Sequence, residues 1–171
     1  EQLHGRGRQS RNWISEPQKN LTFSLLLRPD NRSVSLSLFP FIFALAIAKI
    51  FKEIYLTSLE CKWPNDLLLN KKKMCGMLLE SSFIGDSVDY IIVGIGLNIN
   101  QEQFPKELEH SATSLFLETN RIWNREEVLA NILLSCEQEY NKISQSTQNA
   151  IVTEWKQYST MFGKEISVAQ K

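Results

Sequence analysis

Apolar positions along the chain fall into stretches of two different periods. The stretch "LTFSLLLRP", Leu21 to Pro29, is rich in strand formers and ends at a proline followed by Asp30 and Asn31, which predicts a core strand running into a turn. Its partner strand must come from elsewhere in the chain. From Ser35 to Tyr55 apolar residues crowd nearly every side of a helical projection until Lys49, Lys52 and Glu53, which predicts a mostly buried helix. Pro40 is tolerated only in the first turn, so that helix starts near Ser37. Three strand candidates follow: Leu59–Trp63 with Leu67–Leu69, then Lys73–Ser81, then Tyr90–Asn98. Turn-like tips at Asn70–Lys73 and Gly85–Ser87 predict an antiparallel meander.

The last third of the chain changes period. Asn124 is a capping residue, Glu126 and Glu127 occupy the first turn, and apolar residues recur at 128, 129, 132, 133 and 136, which predicts an amphipathic helix reaching Ile143. A polar linker, Ser144–Asn149, leads to a second helix over Asn149–Tyr158, and Phe162–Val168 has the pattern of a strand.

Length and charge narrow the function classes. At 171 residues the chain fits one domain with an ordinary core. Lysine plus arginine equals aspartate plus glutamate at 19 each, so no global field attracts a polyanion and any phosphate recognition is local. Cys61, Cys75 and Cys136 are too few and too irregular for a disulfide framework or a zinc site, which suits a reducing cytoplasm. The most apolar run, Leu38–Ala48, is far shorter than the ~20 residues that cross a bilayer, and the expectation is a cytoplasmic protein with no membrane partner.

Against that neutral background, "HGRGRQSRNW" at residues 4 to 13 stands out. Glycines let backbone approach a ligand, and guanidinium forks match phosphate oxygens in pairs, so Gly5, Arg6, Gly7, Arg8 and Arg11 suit a polyphosphate, with Trp13 free to stack on a base. A solvated arginine loop or a non-specific nucleic-acid arm is the competing reading. In "KWPND", Lys62 to Asp66, the Asn-Asp pair after a proline is turn chemistry, but the turn has no need of Lys62 or Trp63. Of the lysines at 71, 72 and 73, one need point inward; strand alternation predicts that Lys73 and Cys75 share a face, with Met74 and Gly76 on the other. "VGIGLNIN", Val93 to Asn100, lacks the third glycine of a dinucleotide fingerprint, and its glycines mark a close backbone approach, with the Asn98 amide at the strand's end. His4 and His110 have no nucleophile in a triad-like context, and the sequence has no clustered carboxylate metal site.

Taken in order, Gln2, "GRGRQSRNW", "NLTFSLLLR", "KWPNDLLL", "KMCGMLLE" and "VGIGLNIN" resemble the catalytic domain of the biotin protein ligases. The likeness runs from about Glu1 to Val168, with the later helices matching by pattern. It implies an α+β fold, a mixed, largely antiparallel sheet with helices packed on one side, similar to class II aminoacyl-tRNA synthetases. It also implies an ATP- and Mg2+-dependent, AMP-forming enzyme that makes biotinyl-5′-adenylate and transfers biotin to a lysine of a biotin carboxyl carrier domain. By the same likeness Lys73 bridges carboxylate and phosphate, and Arg8 meets the phosphate. Gln2, Gly5 and Arg6 hold the ureido end of biotin, Gly76 lets its tail pass, and Trp13 and Asn98 contact the adenylate. Lys62 and Asn65 join the substrate-binding set, and Asp66 orients the acceptor amine or a Mg-bound water. Residues 5 to 13 are expected to close over the adenylate.

The likeness also has departures: Ser10 stands where the family has glycine, and His4 is bulkier than the customary residue. An earlier strand-helix-strand portion with a Ser/Thr-Asn motif is expected in the family, so residues 1–161 read as the catalytic domain without it and 162–171 as the start of a small C-terminal β-domain. Three rivals remain. A lipoate or octanoate transferase shares the fold but should carry Arg-Arg-x-x-Gly-Gly-Gly in place of GRGR. A nucleic-acid-binding module fits poorly with zero net charge. A catalytically silent domain that homodimerises through an exposed sheet edge is the third.

Overall fold

The computed structural model describes residues 5–7, 12–29 and 35–165. Among the described residues the strands and α-helices, in chain order, are β1 (Leu21–Leu27), α1 (Phe39–Ile54), β2 (Glu60–Lys62), β3 (Asp66–Leu69), β4 (Lys72–Ile84), β5 (Ser87–Leu97), α2 (Leu115–Thr119), α3 (Arg125–Asn141) and α4 (Gln148–Gln157). The strands form one sheet in the order β1-β5-β4-β3-β2, with every ladder antiparallel. A single parallel bridge, Lys73 to Ala112, ties the segment after β5 back to β4.

The meander is as expected, since each of its three connections is short enough for neighbouring strands to pair. β1 departs from the core strand predicted. Among the described residues it pairs only with β5, Leu21 opposite Leu97 and Leu27 opposite Ile91, and lies at the edge of their sheet. Its residues alternate between partly covered and exposed, as befits a strand with one face on a core.

One face of the sheet carries the helices. Ile91, Val93, Ile95 and Leu97 of β5 and Leu67 and Leu69 of β3 turn toward α1, whose Phe39, Ile42, Phe43, Leu45, Ile47 and Phe51 are buried. Pro40 sits in the first turn of α1, where its missing N–H costs nothing. α3 and α4 pack across α1. The Asn124 side chain caps α3 by accepting from Glu127 N at 3.0 Å. Lys49 of α1 reaches Glu139 of α3 at 3.1 Å and Glu154 of α4 at 2.7 Å. Burial works against the Lys49 ammonium, but the two carboxylates outweigh it and hold its pKa above the usual lysine value. The predicted strand at Phe162–Val168 is not found over its first half: 162 to 165 are turn and irregular chain, and the rest lies outside the described residues.

Candidate functional site

The sheet face opposite α1 floors an open cleft of about 1110 Å³. Its floor follows from strand alternation. While Val93, Ile95 and Leu97 face the core, Gly94, Gly96 and Asn98 face the cleft. Across the β4–β5 ladder Gly96 stands directly opposite Gly76, leaving two adjacent positions without a side chain. The Trp13 indole fills that gap. A Cβ on Gly96 would fall 2.4 Å from Trp13 Cε2, and one on Gly76 would fall 3.1 Å from Trp13 Cζ3. Trp13 is itself tied back to the arginine segment, its backbone N–H donating to Gly5 O at 2.8 Å beside the Arg6–Asn12 bridge.

Lys73 lies on this face because of an irregularity. Leu67 opposes Cys75 and Leu68 opposes Lys73, so Met74 is an extra, unpaired residue that shifts the phase of β4. Lys73 therefore shares a face with Gly76, and Cys75 turns into the core; the predicted pairing of Lys73 with Cys75 is corrected by this bulge. The proximity is direct, since a Cβ on Gly76 would meet Lys73 Cε at 3.0 Å. Burial raises the pKa of the Cys75 thiol far above its usual value.

The Lys73 ammonium is 2.8 Å from Asp66 Oδ1 and 5.7 Å from the centroid of the Trp13 ring. Its backbone is clamped by the segment after β5: Lys73 N donates to Ser111 O at 2.8 Å, and Thr113 N donates to Lys73 O at 2.9 Å. Asp66 opens β3 through the tight turn of "WPND", which Asn65 pins to β4. The Asn65 side chain donates to Met77 O, and Met77 N donates to Asn65 O at 2.9 Å. At the cleft rim Arg6 approaches Glu80 at 4.0 Å with both side chains largely exposed, a pair that adds little stability.

Among the described residues, three buried polar atoms in the cleft make no hydrogen bond: Asp66 Oδ1, which is paired with Lys73 by charge, and Trp13 Nε1 and Asn98 Oδ1, which have no such ion pair. Asn98 Nδ2 is used, donating to Thr113 O at 3.0 Å. A buried donor and a buried acceptor without partners are costly unless something else satisfies them, which marks the cleft as a binding surface.

Of the residues singled out from the sequence, Arg6, Trp13, Lys62, Asn65, Asp66, Lys73, Gly76 and Asn98 all line the cleft. Gly5 is buried behind it and contributes its carbonyl to Trp13. Gln2 and Arg8 lie outside the described residues. Sequence reasoning missed the far wall, where Phe104, Leu108, His110, Ser111 and Ala112 return to β4. It also missed a buried amide latch: Asn20 Oδ1 accepts from Ile99 N at 2.9 Å, Asn20 Nδ2 donates to Gln101 Oε1, and Ser114 Oγ donates to Gln101 O at 2.6 Å. The latch fixes the segment that leads out of Trp13 against the end of β5. The one available signal was a pair of polar residues, Asn20 and Gln101, each flanking a strand end.

Among the described residues no three His, Cys, Asp or Glu side chains cluster as metal ligands, and no helix is long and apolar enough to cross a membrane.

Comparison with known proteins places this geometry in context. A bifunctional ligase/repressor, BirA, of Bacillus subtilis is 35% identical over 164 residues, covering 95% of this chain and 50% of that protein. A biotin–[acetyl-CoA-carboxylase] ligase of Paracoccus denitrificans is 40% identical over 104 residues, covering 58% of this chain and 42% of that protein. The chain thus spans about half the length of the curated relatives it matches. Its backbone superposes on the biotin protein ligase of Aquifex aeolicus, solved in complex with biotin and ATP, with a TM-score of 0.85 and 33% identity over 96% of this chain and 68% of that one. The family model for the biotin/lipoate A/B protein ligases matches residues 1–98, the stretch that supplies Trp13, Asp66, Lys73, the glycine floor and Asn98, and the chain belongs to that family.

Proposed function

We propose that this chain is the catalytic domain of a biotin protein ligase: it activates biotin with ATP to biotinyl-5′-adenylate and transfers the biotinyl group to a lysine of a biotin carboxyl carrier domain. The observation that carries the reading is Lys73, an ammonium set by a bulge onto a side-chain-free floor in a cleft that also presents Arg6, Lys62 and Lys71.

Joining a carboxylate to a triphosphate requires two anions to meet. In the first step a biotin carboxylate oxygen attacks the α-phosphorus, the bond to the β-phosphate oxygen breaks, and pyrophosphate leaves with the electron pair. Lys73 stands where both the carboxylate and the α-phosphate can be neutralised. At ~4 Å a charge pair gains only ~1 kcal/mol in bulk water but ~4 kcal/mol at an effective dielectric near 20, so covering the cleft is what makes its cations effective. Closure of the stretch from Gly5 to Trp13, which carries Arg6, Arg8 and Arg11 in sequence, would cover the cleft and shield a hydrolysable anhydride.

In this arrangement Asp66 orients the Lys73 ammonium before substrates bind. Once Lys73 engages the phosphate, Asp66 is released toward the incoming acceptor amine. Mg2+ would enter on the nucleotide phosphates; of the two carboxylates among the described lining residues, Asp66, beside Lys73, is the one proposed to touch its hydration shell. In the second step the neutral amine of the carrier lysine attacks the carbonyl of the mixed anhydride, AMP leaves and the amine proton is lost. The orphaned Trp13 Nε1–H and Asn98 Oδ1 would be satisfied by the adenylate. Cytoplasmic residence and a homodimer are further parts of this proposal; for the latter, the side of β1 away from β5 pairs with no strand among the described residues.

Incubation of the protein with ATP, biotin and a generic carrier domain, followed by detection of covalent biotin, tests the assignment. The expected result is labelled carrier and stoichiometric AMP. No labelling with biotin, alongside labelling with octanoate or lipoate, would move the chain to the transferase branch of its family.

A further inference from the structure

The three consecutive lysines of the β3–β4 hairpin diverge. Lys73 enters the cleft beside Asp66, whereas Lys72 leaves it, with Nζ 3.4 Å from Glu109 O. Lys71, exposed at the hairpin tip, is also among the residues that line the cleft.

The position of Lys71 is an unusual one for a lysine. β3 ends at Leu69 and β4 begins at Lys72, so Asn70 and Lys71 alone form the connection, with φ of 49° and 66°. Left-handed backbone at both positions is the type I′ turn, in which asparagine suits the first site and glycine the second. A side chain at the second site meets a steric penalty that glycine avoids. Local contacts offer no compensation, because Lys71 is exposed and forms no ion pair among the described residues. The hairpin tip is nevertheless held in place, since the Asn70 side chain donates to Glu118 of α2 and Glu118 accepts from Thr113 Oγ1.

Charge balance within the cleft supplies a reason. Among the described lining residues four cations, Arg6, Lys62, Lys71 and Lys73, face two carboxylates, Asp66 and Glu80. Both carboxylates are already engaged, Asp66 with Lys73 at 2.8 Å and Glu80 with Arg6 at 4.0 Å. The surplus is therefore Lys62 and Lys71, local to one concavity in a chain whose formal net charge is zero. A strained ammonium that lines a cleft and has no protein partner is best explained by an anionic ligand.

We infer that Lys71, with Lys62, forms the subsite for the diphosphate part of the nucleotide, the portion that departs as pyrophosphate. The inference rests on the adenylate-forming reading. When the α-phosphorus is attacked, the bond to the bridging oxygen breaks and its electron pair goes to the pyrophosphate. Lys71 and Lys62 neutralise that departing charge while Lys73 stays with the carboxylate and the α-phosphate.

Three variants separate the charge from the turn. Lys71→Gly and Lys71→Asn both suit left-handed backbone and remove the ammonium, while Lys71→Arg keeps a cation. Calorimetric titration with inorganic pyrophosphate, ATP and biotin is expected to give roughly three- to tenfold weaker pyrophosphate and ATP binding for the first two variants. Biotin affinity should stay within twofold, Lys71→Arg should retain near-normal pyrophosphate binding, and Lys71→Gly should melt no lower than the parent protein. Pyrophosphate and ATP affinities within twofold of the parent in both neutral variants would overturn the inference, and so would a loss confined to the KM for the carrier domain, which would make Lys71 a docking cation. A parent protein that binds pyrophosphate through Lys71 but forms no biotinyl adenylate would leave the subsite standing and remove the ligase reading.

Discussion

Gly96→Ala is the sharpest single perturbation available at this site. The added methyl would lie 2.4 Å from Trp13 Cε2, 2.6 Å from Cζ2 and 2.9 Å from Nε1. Ordinary carbon contacts begin near 3.5 Å, so the indole has to lift by roughly 1 Å or leave the floor. Because Trp13 is only half-buried, the overpacking should destabilise the fold modestly, by about 1–3 kcal/mol. Function should suffer far more, since a displacement of about 1 Å at a reacting site can lower the rate on the order of a hundredfold.

The neighbouring glycines provide an internal scale. At Gly76 the nearest atoms stand at 3.0 to 3.1 Å and are the far end of Lys73 and the edge of Trp13, so Gly76→Ala should cost several-fold in activity. At Gly94 the nearest atom is 3.6 Å away, ordinary contact, and Gly94→Ala should be close to neutral. The assay is adenylate formation measured as AMP or pyrophosphate release, with thermal melting alongside, and with Trp13→Phe as a second test of the same seat. A Gly96→Ala protein as active as Gly94→Ala would refute the claim that the indole on the glycine pair organises the cleft.

Other outcomes follow from the same structure. Gln101→Ala removes the acceptor of a buried amide pair and should destabilise by roughly 2–3 kcal/mol, lowering Tm by about 4–12 °C in a scanning calorimeter; a Tm within 1 °C of the parent would show that the latch carries no weight. Glu139 is disfavoured as an anion by burial, but Lys142 and Lys49 overcome this and hold its pKa below the ordinary 4.5. A depressed carboxylate contributes stability above its unfolded value and loses it as pH falls through the folded one, so Glu139→Gln should be less stable near pH 7, with the gap closing below pH 4.5 in urea titrations. Burial pushes the Cys61 and Cys136 thiols up to about 12 and Cys75 higher still, so native protein near pH 8 should resist iodoacetamide and should label at all three only after denaturation.

Much of this architecture was legible in the residues because local signals and global packing agree. Pro40 in a first turn, the Asn124 cap and the apolar crowding of 39–48 each have one cheap solution. The cleft residues were legible as types, since glycines in a strand and clustered cations state a need that a core does not have. What stayed hidden depends on long-range register. Simple alternation placed Lys73 beside Cys75; the bulge at Met74 that reverses this is specified by pairing with β3, and no residue of β4 announces it. The edge position of β1 follows from pairing with a strand about seventy residues away. α2 is only five residues long, too short for a period to show, and its Ser114 cap looks like any other serine. The wall formed by 104–112 became part of the site through backbone hydrogen bonds that Ser111 and the adjoining Thr113 make with Lys73, and backbone bonds carry no side-chain signature.

The most direct measurement of the central claim is biotin-dependent exchange of labelled pyrophosphate into ATP, which isolates the first step from carrier recognition. The account predicts exchange by the parent protein and a loss of at least about a hundredfold in Lys73→Ala, with ATP still bound. Exchange by Lys73→Ala at the parent rate would contradict it.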